Sequence, residues 1–155
     1  MKVIVANWFE CKIQYEKVME DGLQKKVVEQ YVVNALSYAE AEARITEEIK
    51  CYISGEFEVK DLKKAAFKEV AFSEDPSADR YYRAKLDFIF LDEKTEREKR
   101  SRVQYLVQAK SLRDAMKNVE EMMGGTMISF ETCAVMETKF MDVFADDTRR
   151  KEPEG

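Results

Sequence analysis

The chain has 155 residues, 45% of them hydrophobic and 37% charged, with only 2 Pro and 5 Gly, which excludes a disordered or fibrous chain and fits one ordered domain. Formal charge is −5, from 26 Lys and Arg against 31 Asp and Glu, so the overall field repels polyanions and a nucleic acid would need a local basic face. There is no histidine, which removes His-based triads, histidine acid–base chemistry and the usual zinc and iron sites; with no cofactor motif either, no enzyme and no cofactor is expected.

Met1-Lys2-Val3-Ile4-Val5 is too short an apolar stretch for a signal peptide, and no apolar run is long enough to span a bilayer, so a cytoplasmic protein without membrane contact is expected. Cys11, Cys51 and Cys133 are far apart and odd in number, which reads as buried thiols in a reducing compartment. The first strand alternates, with Phe9, Cys11, Ile13 and Tyr15 on one face and Glu10, Lys12 and Gln14 on the other. A polar hairpin at Glu20-Asp21-Gly22 leads to a return strand that places Tyr31, Val33 and Ala35 inward. Ser37 with Glu40 is a capping box, opening a helix that presents Tyr38, Ala41, Ile45 and Ile49 to the sheet. The stretch Glu56 to Phe72 is long for one strand and must bend, bulge or split. Ser73-Glu74-Asp75-Pro76-Ser77 is a turn-rich connector.

The pattern then recurs. Tyr82, Ala84, Leu86, Phe88 and Phe90 oppose Arg83, Lys85 and Asp87; a hairpin spans Asp92 to Lys99; Val103, Tyr105, Val107 and Ala109 point inward. Ser111 with Asp114 caps a helix that presents Leu112, Ala115, Met116, Val119 and Met122, and Gly124-Gly125 is expected to end it at positive φ. A second long element, Ile128 to Phe144, follows, and the charged stretch 145–155 reads as a mobile tail.

Aligning Tyr31-Val32-Val33-Asn34-Ala35-Leu36-Ser37 with Tyr105-Leu106-Val107-Gln108-Ala109-Lys110-Ser111 sets an offset of 73–74 that also matches Trp8-Phe9 to Tyr81-Tyr82, Phe57-Glu58 to Phe130-Glu131 and Phe67 to Phe140. The expectation is therefore an α+β fold of internally duplicated β-β-α-β units, mainly antiparallel sheet with one helix per repeat. Residues 1–144 form one pseudo-twofold domain, with repeat one at 7–72, a connector at 73–80 and repeat two at 81–144.

Strand alternation puts Trp8 on the polar face with Glu10, Lys12 and Gln14, and Tyr81 likewise beside Arg83, Lys85 and Asp87, with Gln30, Arg102 and Gln104 on the same side of the return strands. Aromatic rings flanked by cations on a sheet hold single-stranded nucleic acid, each stacked base contributing ~1–3 kcal/mol. The candidate contacts are Trp8 and Tyr81 as platforms, with Lys12, Arg83, Lys85 and Arg102 reaching phosphates. The competing explanation buries both rings against the other copy or a second subunit. The basic runs Lys94 to Arg102 and Lys60, Lys63, Lys64, Lys68 read more simply as solvated edges than as phosphate grips. Glu47-Glu48 and Glu120-Glu121 lie on outward helix faces, no metal site stands out, and Met122, Met123 and Met127 read as core filler.

The segments Trp8-Phe9-Glu10-Cys11-Lys12, Ala39-Glu40-Ala41-Glu42-Ala43-Arg44-Ile45, Ile53-Ser54-Gly55-Glu56-Phe57, Phe72-Ser73-Glu74-Asp75 and Ala78-Asp79-Arg80-Tyr81-Tyr82, with Leu91-Asp92-Glu93-Lys94 and Met141-Asp142-Val143-Phe144, resemble a domain-of-unknown-function family of Bacteroidota and their phages and mobile elements. The resemblance carries no catalytic residues. It implies a phage or mobile-element setting in a bacterial host cell. The expectation is a non-catalytic binding protein for single-stranded nucleic acid. The alternatives are a protein that sequesters a nucleotide signal and a protein-interaction or assembly module, with a homo-oligomer among the partners considered.

Overall fold

The structure, a computed structural model, describes residues 1–145, so all but the first residue of the expected tail at 145–155 lies outside the described residues. β1 (Lys2–Val5) is followed by a long hairpin, β2 (Trp8–Val18) and β3 (Gln24–Asn34), paired antiparallel from Trp8↔Asn34 to Val18↔Gln24. Its turn closes where the Gly22 N–H donates to the Met19 carbonyl at 2.9 Å, with Gly22 at φ 84, a region open to glycine and costly for other residues. A second long hairpin, β6 (Arg80–Leu91) and β7 (Glu98–Ala109), pairs from Arg80↔Ala109 to Leu91↔Glu98. Its turn, Asp92 to Arg97, is one residue longer. The Asp92 carboxylate accepts the Lys94 N–H at 2.9 Å and holds the Lys99 ammonium at 2.7 Å, and Glu96 stands at φ 58. That extra residue moves the internal offset from 73 between Phe9 and Tyr82 to 74 between Tyr31 and Tyr105.

Each hairpin takes a third antiparallel strand: β4 (Phe57–Lys64) lies on β2 with a bulge at Lys12/Ile13, and β8 (Ser129–Glu137) lies on β6 with a bulge at Lys85/Leu86. The long last elements split in two, giving β5 (Glu69–Phe72) and β9 (Phe140–Phe144), and neither second piece stays with the strand before it. β9 runs parallel to β3 through Tyr31↔Asp142, Val32↔Val143 and Val33↔Phe144, whereas β5 runs parallel to β7 through Glu69↔Tyr105, Val70↔Leu106 and Ala71↔Val107. The sheets are therefore β4-β2-β3-β9 and β1-β5-β7-β6-β8.

The compact units therefore differ from the sequence repeats at 7–72 and 81–144: they are 6–65 with 139–145 of the described residues, and 1–5 with 66–138. The reason is a crossover. β4 runs parallel to the slot beside β3, and parallel strands of one sheet need a connection of about a dozen residues. Residues 65–68 are too few for that, and 138–139 fewer still. β1, unforeseen in the sequence, pairs antiparallel with β5 from Lys2↔Phe72 to Val5↔Glu69.

Helix α1 (Tyr38–Lys50) buries Ala41, Ile45 and Ile49 against Phe9, Cys11, Ile13, Tyr31 and Val33, with Phe144 stacked 5.6 Å from the Tyr31 ring. Helix α2 (Leu112–Met123) buries Ala115, Val119 and Met123 against Ala84, Leu86, Tyr105 and Val107 and against Tyr82 and Ala109. The serine caps form as expected: Ser37 Oγ accepts the Glu40 N–H and Ser111 Oγ the Asp114 N–H, each at 3.1 Å. In the second, the return bond runs from the Lys110 N–H to the Asp114 carboxylate at 3.1 Å. One side chain of each helix also grips a carbonyl at the end of the return strand, the last residue of β3 and the last but one of β7. Arg44 donates to the Asn34 carbonyl, and Asn118 Nδ2 to the Gln108 carbonyl at 3.1 Å.

Several expected core positions are exposed instead. Leu112, Met116, Phe90 and Met127 face solvent, and so do Cys51 and Cys133, leaving Cys11 as the buried thiol. Tyr38 meets the sheet as expected, its ring edge-on to Phe9 at 5.0 Å, with its outer side exposed. Asn118 and Met123 are buried on the α2 face where Leu112 and Met116 were expected. Gly124 ends α2 at φ −63, so backbone in the left-handed region is not what stops this helix. Thr132, opposite Leu86 beside the β8 bulge, buries its Oγ1 without a hydrogen-bond partner among the described residues. The matching place in the other unit, opposite Ile13, holds Val59. Replacing a buried, unsatisfied hydroxyl by a methyl of the same shape removes a desolvation cost, so Thr132→Val should stabilise the protein by about 1 kcal/mol in urea denaturation. A destabilised variant would show that the hydroxyl is paired.

Candidate functional site

Trp8 and Tyr81 are not stacking platforms: they are 1% and 4% exposed. Alternation does assign them to the sheet faces turned away from the helices, but those faces are not polar at this end. Val32, Asn34 and Val143 are buried around Trp8's end of one sheet, and Phe67, Val70 and Leu106 around Tyr81's end of the other. The Tyr81 hydroxyl receives Gln108 Nε2 at 3.4 Å, and its carbonyl accepts both the Thr138 N–H and the Thr138 hydroxyl, at 2.9 and 2.8 Å. The signal was present in the doublets Val32-Val33 and Leu106-Val107, since consecutive apolar residues mark a strand buried on both faces. Lys12 is exposed opposite Asp61 of β4, in the unit that holds Trp8, whereas Tyr81, Arg83, Lys85 and Arg102 lie in the other unit.

Arg83, Lys85 and Arg102 do come together, on the face of the β6–β7–β8 sheet opposite α2. β6 contributes Arg83, Lys85 and Asp87 at alternate positions, and β7 supplies Arg100, Arg102 and Gln104 across from them. Arg83 Nη1 donates to Gln104 Oε1 at 3.4 Å, and its guanidinium stands 5.5 Å from the centre of the Phe67 ring. The organising residue is one the sequence did not single out. Asp87 is 8% exposed and holds Arg102 Nε at 2.5 Å and Arg100 Nη1 at 3.5 Å; Arg100 also reaches Glu131 of β8 at 3.0 Å. The bond from Arg102 comes first among the causes that hold the Asp87 carboxyl below the usual range. Cys133 sits at the bulge beside Asp87, where desolvation first and the carboxylate second raise its thiol pKa, so it is no activated nucleophile.

The buried tyrosines are equally inert. Tyr15 and Tyr31 both donate to Glu29 Oε1 at 3.0 Å, and burial above all raises the Tyr31 phenol beyond its ordinary value. Burial, then the Glu69 carboxylate, pushes Tyr105 up to about 12.

A further feature is backbone. β9 covers β3 only from Gln30 to Val33, and β5 covers β7 only from Tyr105 to Val107. Among the described residues, no strand pairs with the outer side of β3 over Gln24 to Glu29 or of β7 over Glu98 to Gln104. At the second edge, beside the start of β5, a recess of about 410 Å³ is lined by Val5, Ala66, Lys68, Glu69 and the stretch Arg102 to Tyr105. A larger concavity of about 520 Å³ in the other unit is walled by Glu16, Glu56 and Glu58 against Lys26. Among the described residues no group of three or more His, Cys, Asp or Glu is placed to hold a metal ion, and no helix is long and apolar enough to cross a membrane.

A family model described as a domain of unknown function, DUF4494, matches residues 7–146. No curated protein matches the chain.

Two outcomes follow from the geometry. Trp8, the chain's one tryptophan, should emit in the blue-shifted range of a buried indole and resist iodide quenching; red-shifted, readily quenched emission would place it in solvent. Asp87→Asn should destabilise the protein at neutral pH. Because the folded pKa of Asp87 is depressed, its contribution is present above the unfolded value of about 4 and is lost as pH falls through the folded one. The stability curves of the wild type and of the Asp87→Asn variant should therefore converge in acid; a constant gap across pH would reject the ion-pair account.

Proposed function

The chain belongs to the DUF4494 family, a domain of unknown function, and we propose that it is a non-catalytic binding protein that works as a protein-interaction or assembly module. The observation that carries this reading is the pair of open strand edges, Gln24 to Glu29 on β3 and Glu98 to Gln104 on β7. An uncovered strand edge is a row of backbone donors and acceptors, and adding a strand is the common way such an edge is used. The hairpin ends beyond the third strands add exposed apolar side chains, Val18 and Leu23 on one and Phe90 and Leu91 on the other, which suit contact with another protein. A phage or mobile-element protein of the bacterial cytoplasm remains the setting proposed for it.

A second reading keeps nucleic acid as ligand, without base stacking. It is favoured by Arg83, Lys85, Arg100 and Arg102 on one sheet face, the first two half-buried and the last two exposed and held in place by Asp87. With Trp8 and Tyr81 buried, nothing in it prefers single strands. A nucleotide signal fits less well, since three carboxylates wall the largest of the concavities described above and would repel its phosphates.

Selection of displayed random peptides against the whole chain, followed by amide hydrogen exchange, tests the first reading. Selected peptides should slow exchange along 24–29 or 98–104; peptides that bind while leaving both edges fast would overturn it. Titration of labelled oligo-dT at about 50 and about 200 mM salt tests the second. Binding that weakens with salt and is abolished in Arg83→Glu/Lys85→Glu would support it, and no binding at the lower salt would reject it.

A further inference from the structure

We propose that the open edge of β7, Glu98 to Gln104, takes an acidic peptide in extended conformation as an added strand, with an apolar side chain of that peptide seated in the recess beside β5. The inference rests on the interaction-module reading and names its partner and its place. The slot has a definite end. β5 occupies the outer side of β7 from Tyr105 onward, and the chain before it, at Ala66 and Lys68, forms the recess wall. An incoming strand therefore continues the line that β5 begins. Val5, Val103 and Tyr105 offer it apolar contact, and Lys68 and Arg102 are the cations of its lining, beside Glu69.

Charge selects the occupant. The edge carries Lys99, Arg100 and Arg102 against Glu98, and all four are exposed. A second copy of this chain would bring the same cations to face them, and like charges across a strand pair are destabilising. An acidic strand reverses that sign opposite Arg100 and Arg102, while Glu98 on the same strand face opposes it. Each of these cations already meets a carboxylate: Lys99 meets Asp92 at 2.7 Å, Arg100 meets Glu131 at 3.0 Å and Asp87 at 3.5 Å, and Arg102 meets Asp87 at 2.5 Å. Their side chains stay 55%, 44% and 52% exposed, and a guanidinium has five N–H donors, so the two arginines keep donors for a further carboxylate. Nucleic acid is disfavoured at this place by the backbone itself, because the edge presents carbonyls as well as N–H groups and a phosphate chain has no donors for the carbonyls. The β3 edge is the weaker candidate: its Lys25 and Lys26 are balanced in part by Glu29, which already accepts two tyrosine hydroxyls.

The test uses the full chain with three synthetic peptides of alternating sequence, Glu-Val, Gln-Val and Lys-Val, read by binding and by residue-resolved amide exchange. The Glu-Val peptide should slow exchange at 98–104 and bind about fivefold more tightly than the Gln-Val peptide, as two favourable cross-strand charge pairs, to Arg100 and Arg102, would give. Arg100→Gln/Arg102→Gln should erase that preference and Lys25→Gln/Lys26→Gln should keep it, with thermal melts confirming that both variants fold. Equal protection of 98–104 by Glu-Val and Gln-Val would overturn the acidic partner and leave strand addition standing. Protection confined to 24–29 would overturn the assignment to β7. No protection of either edge by any peptide would overturn both this inference and the reading beneath it.

Discussion

The constraint on which the rest depends is the parallel closure of the two return strands. A β-β-α-β unit leaves the outer side of its second strand unpaired, and the slot there is parallel to the strand that follows the helix. A short link cannot reach it. The chain's solution is that the segment after β4 closes β7 and the segment after β8 closes β3, with registers that recur at the same internal offsets. Closure is also incomplete, because β5 and β9 are short where the hairpins are long. The core needs only the half of each hairpin where Val33 and Val107 meet the helices, so among the described residues the other halves of β3 and β7 pair with β2 and β6 but have no strand on their outer edge.

That incompleteness accounts for where the charge lies. An exposed, long, uncharged edge invites pairing with any chain, and lysine and arginine on such an edge oppose the pairing of like with like. The same residues leave the edge selective instead of inert. Repulsion between copies and attraction for an anionic strand are one electrostatic fact seen from two partners, and both weaken as salt screens them.

Much of the core was legible because strand and helix periods are local properties. The inward sets Phe9, Cys11, Ile13 and Tyr31, Val33, Ala35, and the buried series Ala41, Ile45, Ile49, follow from spacing alone. The serine caps did too, being interactions across one helical turn. What failed was non-local. Alternation says which face a side chain takes and nothing about what covers that face, so Trp8 and Tyr81 were placed correctly on their strands and wrongly in solvent. The exchange of β5 and β9 was hidden for the same reason: each still matches the other at the repeat offset, whichever sheet receives it. The Asp87 cluster needed the register of three strands at once, which no single window contains.

The two units share architecture more closely than chemistry, and the difference locates where specificity should be sought. Position for position, the Asp87, Arg100 and Arg102 cluster of one hairpin is matched by Gln14, Lys26 and Val28 in the other, while Lys85 and Glu131 are matched by Lys12 and Glu58. Bulges and helix caps recur, as does positive φ at Gly22 and Glu96, because the backbone requires them in both places. The ion-pair cluster recurs nowhere in the first hairpin, so the fold does not require it. A largely buried carboxylate holding two half-exposed guanidinium groups costs desolvation and contributes little net stability for that cost. Its presence in one unit alone is better explained by what those arginines meet than by what they hold together.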